Sequence, residues 1–175
     1  MKLAAAKFLL ILSFFAFIYG GYLIWERTNT GHYSIFPEQL PTRISGQPDT
    51  IIIPSAQISL PIYPATIHGV KWDQTTKGVS YLQSSPLPGR AGNSILYGHN
   101  WQNLLGHLHN VKPGQKIFVR YGSTTLAFTI TYTGVVTDHD ISILAPTKDT
   151  RLTIYTCTGF LDRQRLVVTA LRDPS

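Results

Sequence analysis

"LTIYTCTGFLDRQRLVV", residues 152–168, is the stretch on which the reading of this chain turns. Two runs rich in Ile, Leu, Val, Thr and Tyr flank a short break centred on Gly159 and Asp162. β-Branched and aromatic residues fit a pleated, half-buried surface, so the pattern predicts two strands, "RLTIYTC" and "QRLVVTALR", joined by a tight loop. The first strand ends in Cys157, the only cysteine of the 175 residues, and Arg163 and Arg165 follow it closely.

Upstream, the texture stays the same. "TIIIPSAQISLPIY" (50–63) reads as two strands broken at Pro54, and "GVSYLQSS" (78–85) as another. "PLPGRAGN" is a loop, after which "SILYGHN" (94–100) is an apolar strand ending in polar residues. "WQNLLGHLHNV" (101–111) is the one short helical candidate, with Leu104, Leu105 and Leu108 on one side. "QKIFVRYG" and "TTLAFTITYTGVV" predict a hairpin around Gly122-Ser123. About eight short strands with frequent turn residues imply an all-β barrel or sandwich. No internal repeat or low-complexity segment is visible.

The N-terminus has a different character. Phe8 to Trp25 carries no charge and is long enough for one membrane-spanning helix, which needs about 17–25 apolar residues. Lys2 and Lys7 precede it, which predicts residues 1–7 inside, 8–25 as an uncleaved signal anchor and the remainder outside the cytoplasm. Residues 26–49, broken by Pro37, Pro41 and Pro48, read as a stalk, and 50–175 as the folded domain. The expected location is therefore the cell membrane, single-pass, with an extracytoplasmic domain. From Glu26 onward there are 13 basic and 9 acidic residues, a net +4 with no Lys/Arg block or basic-aromatic stripe. That balance argues against nucleic acid as a partner.

Exported proteins usually pair their cysteines, so a single thiol there needs a reason. A thiol attacks an acyl carbon only as thiolate, which calls for a proton acceptor or a cationic neighbour. Histidine supplies either, and arginine supplies fixed donors for a tetrahedral oxyanion. His99, at the end of the strand "SILYGHN", is the candidate for proton transfer, with Asn100 beside it as a possible orienting group. Cys157 is the candidate nucleophile and Arg165 the candidate oxyanion and substrate donor. Arg165 is preferred to Arg163 because it directly precedes the apolar register "LVV". The plainer readings are a small buried thiol, a surface histidine and a solvated arginine. A metal reading would use His107 and His109 with Asp138, His139 and Asp140, but nothing in the sequence joins the two clusters. No CxxC, HExxH, GxSxG or Gly-rich phosphate loop is present, and no cofactor is expected.

Taken together, "GNSILYGHN…LLGHLHNVKPGQKIFV" and "LTIYTC…RLVV" resemble the sortases, membrane-anchored cysteine transpeptidases, over residues 50–172. The resemblance implies a closed eight-stranded β-barrel with one or two short helices after the transmembrane helix. It implies that Cys157 attacks an LPxTG-like sorting signal at the C-terminus of an exported protein, forming a thioacyl-enzyme. His99 would protonate the leaving amine, and an amine of the cell envelope or of a pilin would resolve the intermediate. Only eight positions separate Cys157 from Arg165, and no Asp-Pro-aromatic lid precedes the domain, so the layout is nearest to housekeeping or class D/E-like members. The stretch "YLQSSPLPGRAGN" (81–93) has no carboxylate, so a calcium requirement is not expected. The rival functions are an exported cysteine peptidase or L,D-transpeptidase-like enzyme, and a non-enzymatic anchored β-barrel.

Overall fold

The computed structural model describes residues 13–25, 46–68 and 71–174. Residues 13–25 are helical and form part of a unit separate from the rest of the chain. Phe14, Phe17, Tyr19, Tyr22, Leu23, Ile24 and Trp25 are all exposed on this helix. No helix among the described residues is long and apolar enough to cross a membrane. Residues 1–12 and 26–45, which include most of the expected stalk and the first part of the expected anchor, lie outside the described residues.

The remainder is a barrel. Its strands are β1 (Thr50–Ile53), β2 (Ile58–Ala65), β5 (Val79–Leu82), β6 (Gly92–Gly98), β7 (Lys116–Tyr121), β8 (Thr124–Thr137), β9 (Thr150–Thr158) and β10 (Gln164–Arg172). They close in the order β1-β2-β5-β6-β9-β10-β8-β7, the eight strands expected. A separate two-stranded ribbon, β3 (Ile67–His68) with β4 (Lys71–Trp72), rides on the β2–β5 connection and was not foreseen. Pro54 ends β1 as anticipated, where Pro54–Ala56 form a 3₁₀ turn, because proline has no N–H for the ladder. The β7–β8 hairpin turns at Gly122, whose φ is 56°.

Two pairings are parallel, β2 with β5 and β6 with β9. Parallel strands need long crossovers. The second crossover carries the β7–β8 hairpin and the expected short helix, which is a 3₁₀ helix at Gly106–Asn110. Gly106 keeps this turn tight: a Cβ there would lie 2.6 Å from the Trp101 carbonyl oxygen. Leu104, Leu105 and Leu108 are buried, and the last two pack with Ile51, Leu96, Ile117, Phe128 and Ile154 in the barrel interior.

Alternation along the strands divides the apolar residues into two clusters. On β9, Leu152 and Ile154 point into the barrel. Tyr155 belongs to a second cluster on the outer face, with Ile95, Tyr97, Val167, Val136, Ile143 and Leu144. The folded unit also includes residues assigned to the stalk. Pro48 is buried, and the Asp49 N–H donates to the Arg120 carbonyl at 2.8 Å.

Candidate active site

The register of three adjacent strands assembles the candidate residues. In the parallel β6–β9 pair, Tyr97 lies beside Tyr155 and Gly98 beside Thr156. The Thr156 hydroxyl, fully buried, donates to the Gly98 carbonyl at 2.8 Å and pins the two strand ends together. His99 follows directly. In the antiparallel β9–β10 pair, Cys157 lies opposite Arg165, a placement that brings Cβ atoms to about 5 Å. His99, Cys157 and Arg165 therefore come from the neighbouring ends of β6, β9 and β10. Cys157 and Arg165 share the outer face with Tyr155 and Val167, outside the barrel lumen. All three are half-buried, accessible to a substrate yet partly withdrawn from water.

Beneath them the outer cluster forms an aromatic floor. The Tyr97 and Tyr155 rings stack at 5.5 Å, and Trp72 of the ribbon stands edge-on to both, at 5.2 and 6.1 Å. The Tyr97 hydroxyl donates to the Asp73 carbonyl at 2.6 Å, and burial, with the Asp73 charge, pushes its pKa up to about 12. Burial also pushes Tyr155 well above the ordinary phenol range, as does Tyr97. Arg165 pulls it down and Cys157 pushes it up, so Tyr155 shares one electrostatic neighbourhood with both.

The turn from β9 to β10 holds three successive or near-successive residues at positive φ among the described residues. Gly159 has φ 76°, and Leu161 and Asp162 have φ 53° and 58°, a left-handed region that side chains adopt at a cost. One Arg165 guanidinium nitrogen, Nη1, donates to the carbonyls of Asp162 at 2.6 Å and Gln164 at 2.9 Å. Arg163 lies in the turn, before β10 begins, so it does not share the strand alternation of Arg165. Phe160 and Leu161 project into solvent at this rim, 84% and 71% exposed.

His99 stacks on Trp101, with ring centroids 4.4 Å apart and planes 10° from parallel. Burial lowers its pKa below the usual 6.5, and the Asp162 carboxylate works in the opposite direction. His109 and His139 lie on other segments. His109 Nδ1 contacts the Gly106 carbonyl at 2.7 Å, and His139 is exposed in the turn after β8. The two clusters weighed as a metal site do not converge: no group of three or more His, Cys, Asp or Glu among the described residues could hold a metal ion.

The loop joining β8 to β9 walls the outer face. Buried Asn93 holds it by donating to the carbonyls of Ile143 (2.9 Å) and Ala145 (3.1 Å), while its oxygen accepts from Thr153 (2.6 Å). Under this loop lies a pocket of about 450 Å³, whose lining includes Asn93, Arg151, Thr153, Val167 and Thr169.

A closed barrel of this order, with these strand ends side by side, can be set against known proteins. The family model of the sortase domain matches residues 51–173. The chain belongs to the sortase family. Sortase A of Listeria monocytogenes is 28% identical over 111 residues, covering 62% of this chain and 48% of that protein. The chain thus spans about half the length of that curated relative. The solved structure of L. monocytogenes sortase A superposes with a TM-score of 0.62 at 26% identity, covering 72% of this chain and 86% of that one. Sortase C-1 of Actinomyces oris gives 0.63 at 30% identity, covering 73% and 72%.

Within this sortase domain, three residues at the site escaped the sequence reading. Trp101 makes a ring contact to His99. Asp162 acts on His99 from the β9–β10 turn, and Asn93 ties down the β8–β9 loop. Asn93 left no signal in the sequence, since between Gly92 and Ser94 it reads as the end of a loop. The other two are brought near by turns that no periodicity announces.

Proposed function

We propose that this protein is a cysteine transpeptidase acting on sorting signals of exported proteins. The carrying observation is that His99, Cys157 and Arg165, each half-buried, come from three neighbouring strand ends. The Cys157 thiolate attacks the carbonyl carbon of the Thr–Gly bond in an LPxTG-like signal. A C–S bond forms, and the C–N bond breaks as His99 gives its proton to the departing amine. An incoming amine from the envelope or a pilin then attacks the thioester, His99 takes its proton, and the thiolate leaves. Arg165 has Nη1 anchored on the turn, and its other N–H groups would meet the oxyanion.

Residues 8–25 would anchor the protein in the membrane with the barrel outside the cytoplasm. The apolar side chains exposed around the described part of this helix support that reading. The inert-barrel alternative is disfavoured by a half-buried Cys157 facing an arginine, and the L,D-transpeptidase-like alternative by the family match. The deciding experiment incubates the reduced full-length protein with an LPxTG-type peptide and an amine, and follows the masses. A thioacyl adduct and an amine-capped product are expected. Adduct followed only by hydrolysed peptide would make it a peptidase, and no adduct with any sorting-signal variant would remove the proposal.

A further inference from the structure

The contact between His99 and Trp101 is held from both sides of the turn that carries it. The Trp101 carbonyl accepts the N–H groups of Leu104 at 2.9 Å and Gly106 at 2.8 Å, and the His99 carbonyl accepts that of Leu105 at 3.2 Å. Leu104, Leu105 and Leu108 are buried, so the backbone under both rings is fastened to the barrel core. Gly106 has no room for a side chain against the Trp101 carbonyl, which fixes where residue 101 can lie. The stack is thus built into the fold rather than being two surface rings in passing contact.

What the stack does depends on the charge of the imidazole. A neutral ring over indole gains dispersion and loses water. A protonated ring gains in addition the attraction of a cation for the negative face of the indole, strongest for tryptophan among the aromatic side chains. Burial opposes that charge and favours the neutral ring. Of the charged or titratable groups around His99, Asp162 in the β9–β10 turn acts on its charge, and Cys157 at the end of β9 and Arg165 at the start of β10 come from the neighbouring strand ends. Its own segment contributes the uncharged Asn100 and Trp101.

We propose that Trp101 is a positioning residue that fixes the plane of the His99 ring and stabilises its protonated form. The inference rests on the reading of His99 as the proton-transfer group, and deepens it. A half-buried histidine with nothing to offset burial would give up its proton too readily to serve as an acid for a leaving amine. Trp101 and Asp162 together restore that capacity, one from the ring face and one across the turn. Trp101 also shields the imidazole from water.

The test separates the aromatic face from mere bulk. Trp101→Leu keeps an apolar side chain over His99 but removes the aromatic face, and Trp101→Phe keeps a weaker one. The His99 ring is titrated by proton–carbon NMR in the full-length protein, with His99→Gln assigning its signal. The expected result is a His99 pKa lowered by about half a unit or more in Trp101→Leu, with Trp101→Phe between it and the parent. The basic limb of the kcat/KM profile should move down by the same amount, a roughly threefold loss on that limb per half unit, with KM little changed. An unchanged or raised His99 pKa in a folded Trp101→Leu protein overturns the proposal. Should that variant fail to fold, Trp101→Phe decides alone: a fall supports the proposal, and no change or a rise overturns it. Since the NMR titration needs no turnover, the functional reading fails separately, by a His99→Ala protein that still transfers acyl groups.

Discussion

At the scale of single residues, the structure separates two arginines that the sequence left nearly equivalent. Two positions apart on one strand, Arg163 and Arg165 would face the same side, and only the apolar register after Arg165 favoured it. In the structure β10 starts at Gln164, so Arg163 belongs to the turn while Arg165 stands across from Cys157. Arg165→Ala and Arg165→Lys should therefore each lower the acyl-transfer rate by about 10²–10³-fold with the melting temperature preserved. The loss of a preorganised oxyanion donor typically costs that much, and lysine lacks the planar fork. Arg163→Ala should change the rate by no more than a few-fold. Steady-state kinetics on the sorting-signal peptide checks both, and the reverse order would transfer the role to Arg163. If His99 is the general acid–base residue proposed above, His99→Ala should cost on the order of 10²-fold or more. His107→Ala, His109→Ala and His139→Ala should stay close to the parent. The residue types and their rough location were legible because strand ends leave a sharp signature, an apolar run giving way to polar groups. Their mutual approach was not legible, since it depends on a parallel β6–β9 pairing that joins segments about sixty residues apart.

At the scale of elements, Asn93 shows how a strand interior can shape a distant loop. Its side chain is almost fully buried and makes three hydrogen bonds, two of them to carbonyls of the β8–β9 loop. Asn93→Ala would strand those carbonyls and the Thr153 hydroxyl. An unsatisfied buried group costs about 1–3 kcal/mol, which should appear as a lowered denaturation midpoint. The freed loop carries Ile143 and Leu144 away from the outer apolar cluster, so KM for the peptide should rise more than kcat falls. An equal loss of stability with an untouched KM would make Asn93 a packing residue only. Strand alternation alone would mislead on the facing element. The β8–β10 register shifts between Thr169 and Ala170, where β8 inserts Thr131 as an extra residue. One inserted residue exchanges the two faces of everything beyond it. Phe128 and Ile130 therefore point inward, whereas Val136, also an even-numbered residue, packs on the outer cluster beneath the site. The hairpin was readable from its turn residues and apolar runs, but the bulge leaves no such mark in "TTLAFTITYTGVV".

At the scale of the whole molecule, closure of the barrel and the chemistry at its rim should respond differently to acid. Asp49 fastens the entry of the chain to the β7–β8 hairpin. Its carboxylate accepts from Arg120 Nε at 3.0 Å and from the Gly122 N–H, and its own N–H donates to the Arg120 carbonyl. Burial pushes Asp49 up, but its bonds to Gly122, Thr50 and Arg120 outweigh this and hold it below the ordinary carboxylate value. Asp149 and Asp173 are lowered as well, by Arg151 and by Lys116 with Thr129, but they are solvated enough that salt should screen most of their effect. A carboxylate lowered in the folded state binds fewer protons there than in the unfolded chain. Its stabilisation is complete above the unfolded value near 3.8 and is lost as pH falls through the folded one. His99, lowered by burial, has the same sign in a higher window: protonation favours the unfolded chain as pH drops below about 6.5. The urea midpoint should therefore be level from pH 8 to 7, decline slightly below 6.5 and fall steeply below 4. His99→Gln should flatten the first step and leave the second. Asp49→Asn should be less stable at neutral pH by roughly 1–2 kcal/mol and converge with the parent in acid, because both then lack the charge. If the two proteins keep a constant gap down to the lowest pH, the Asp49 charge does not close the barrel, and the neutral hydrogen bonds around it carry that task.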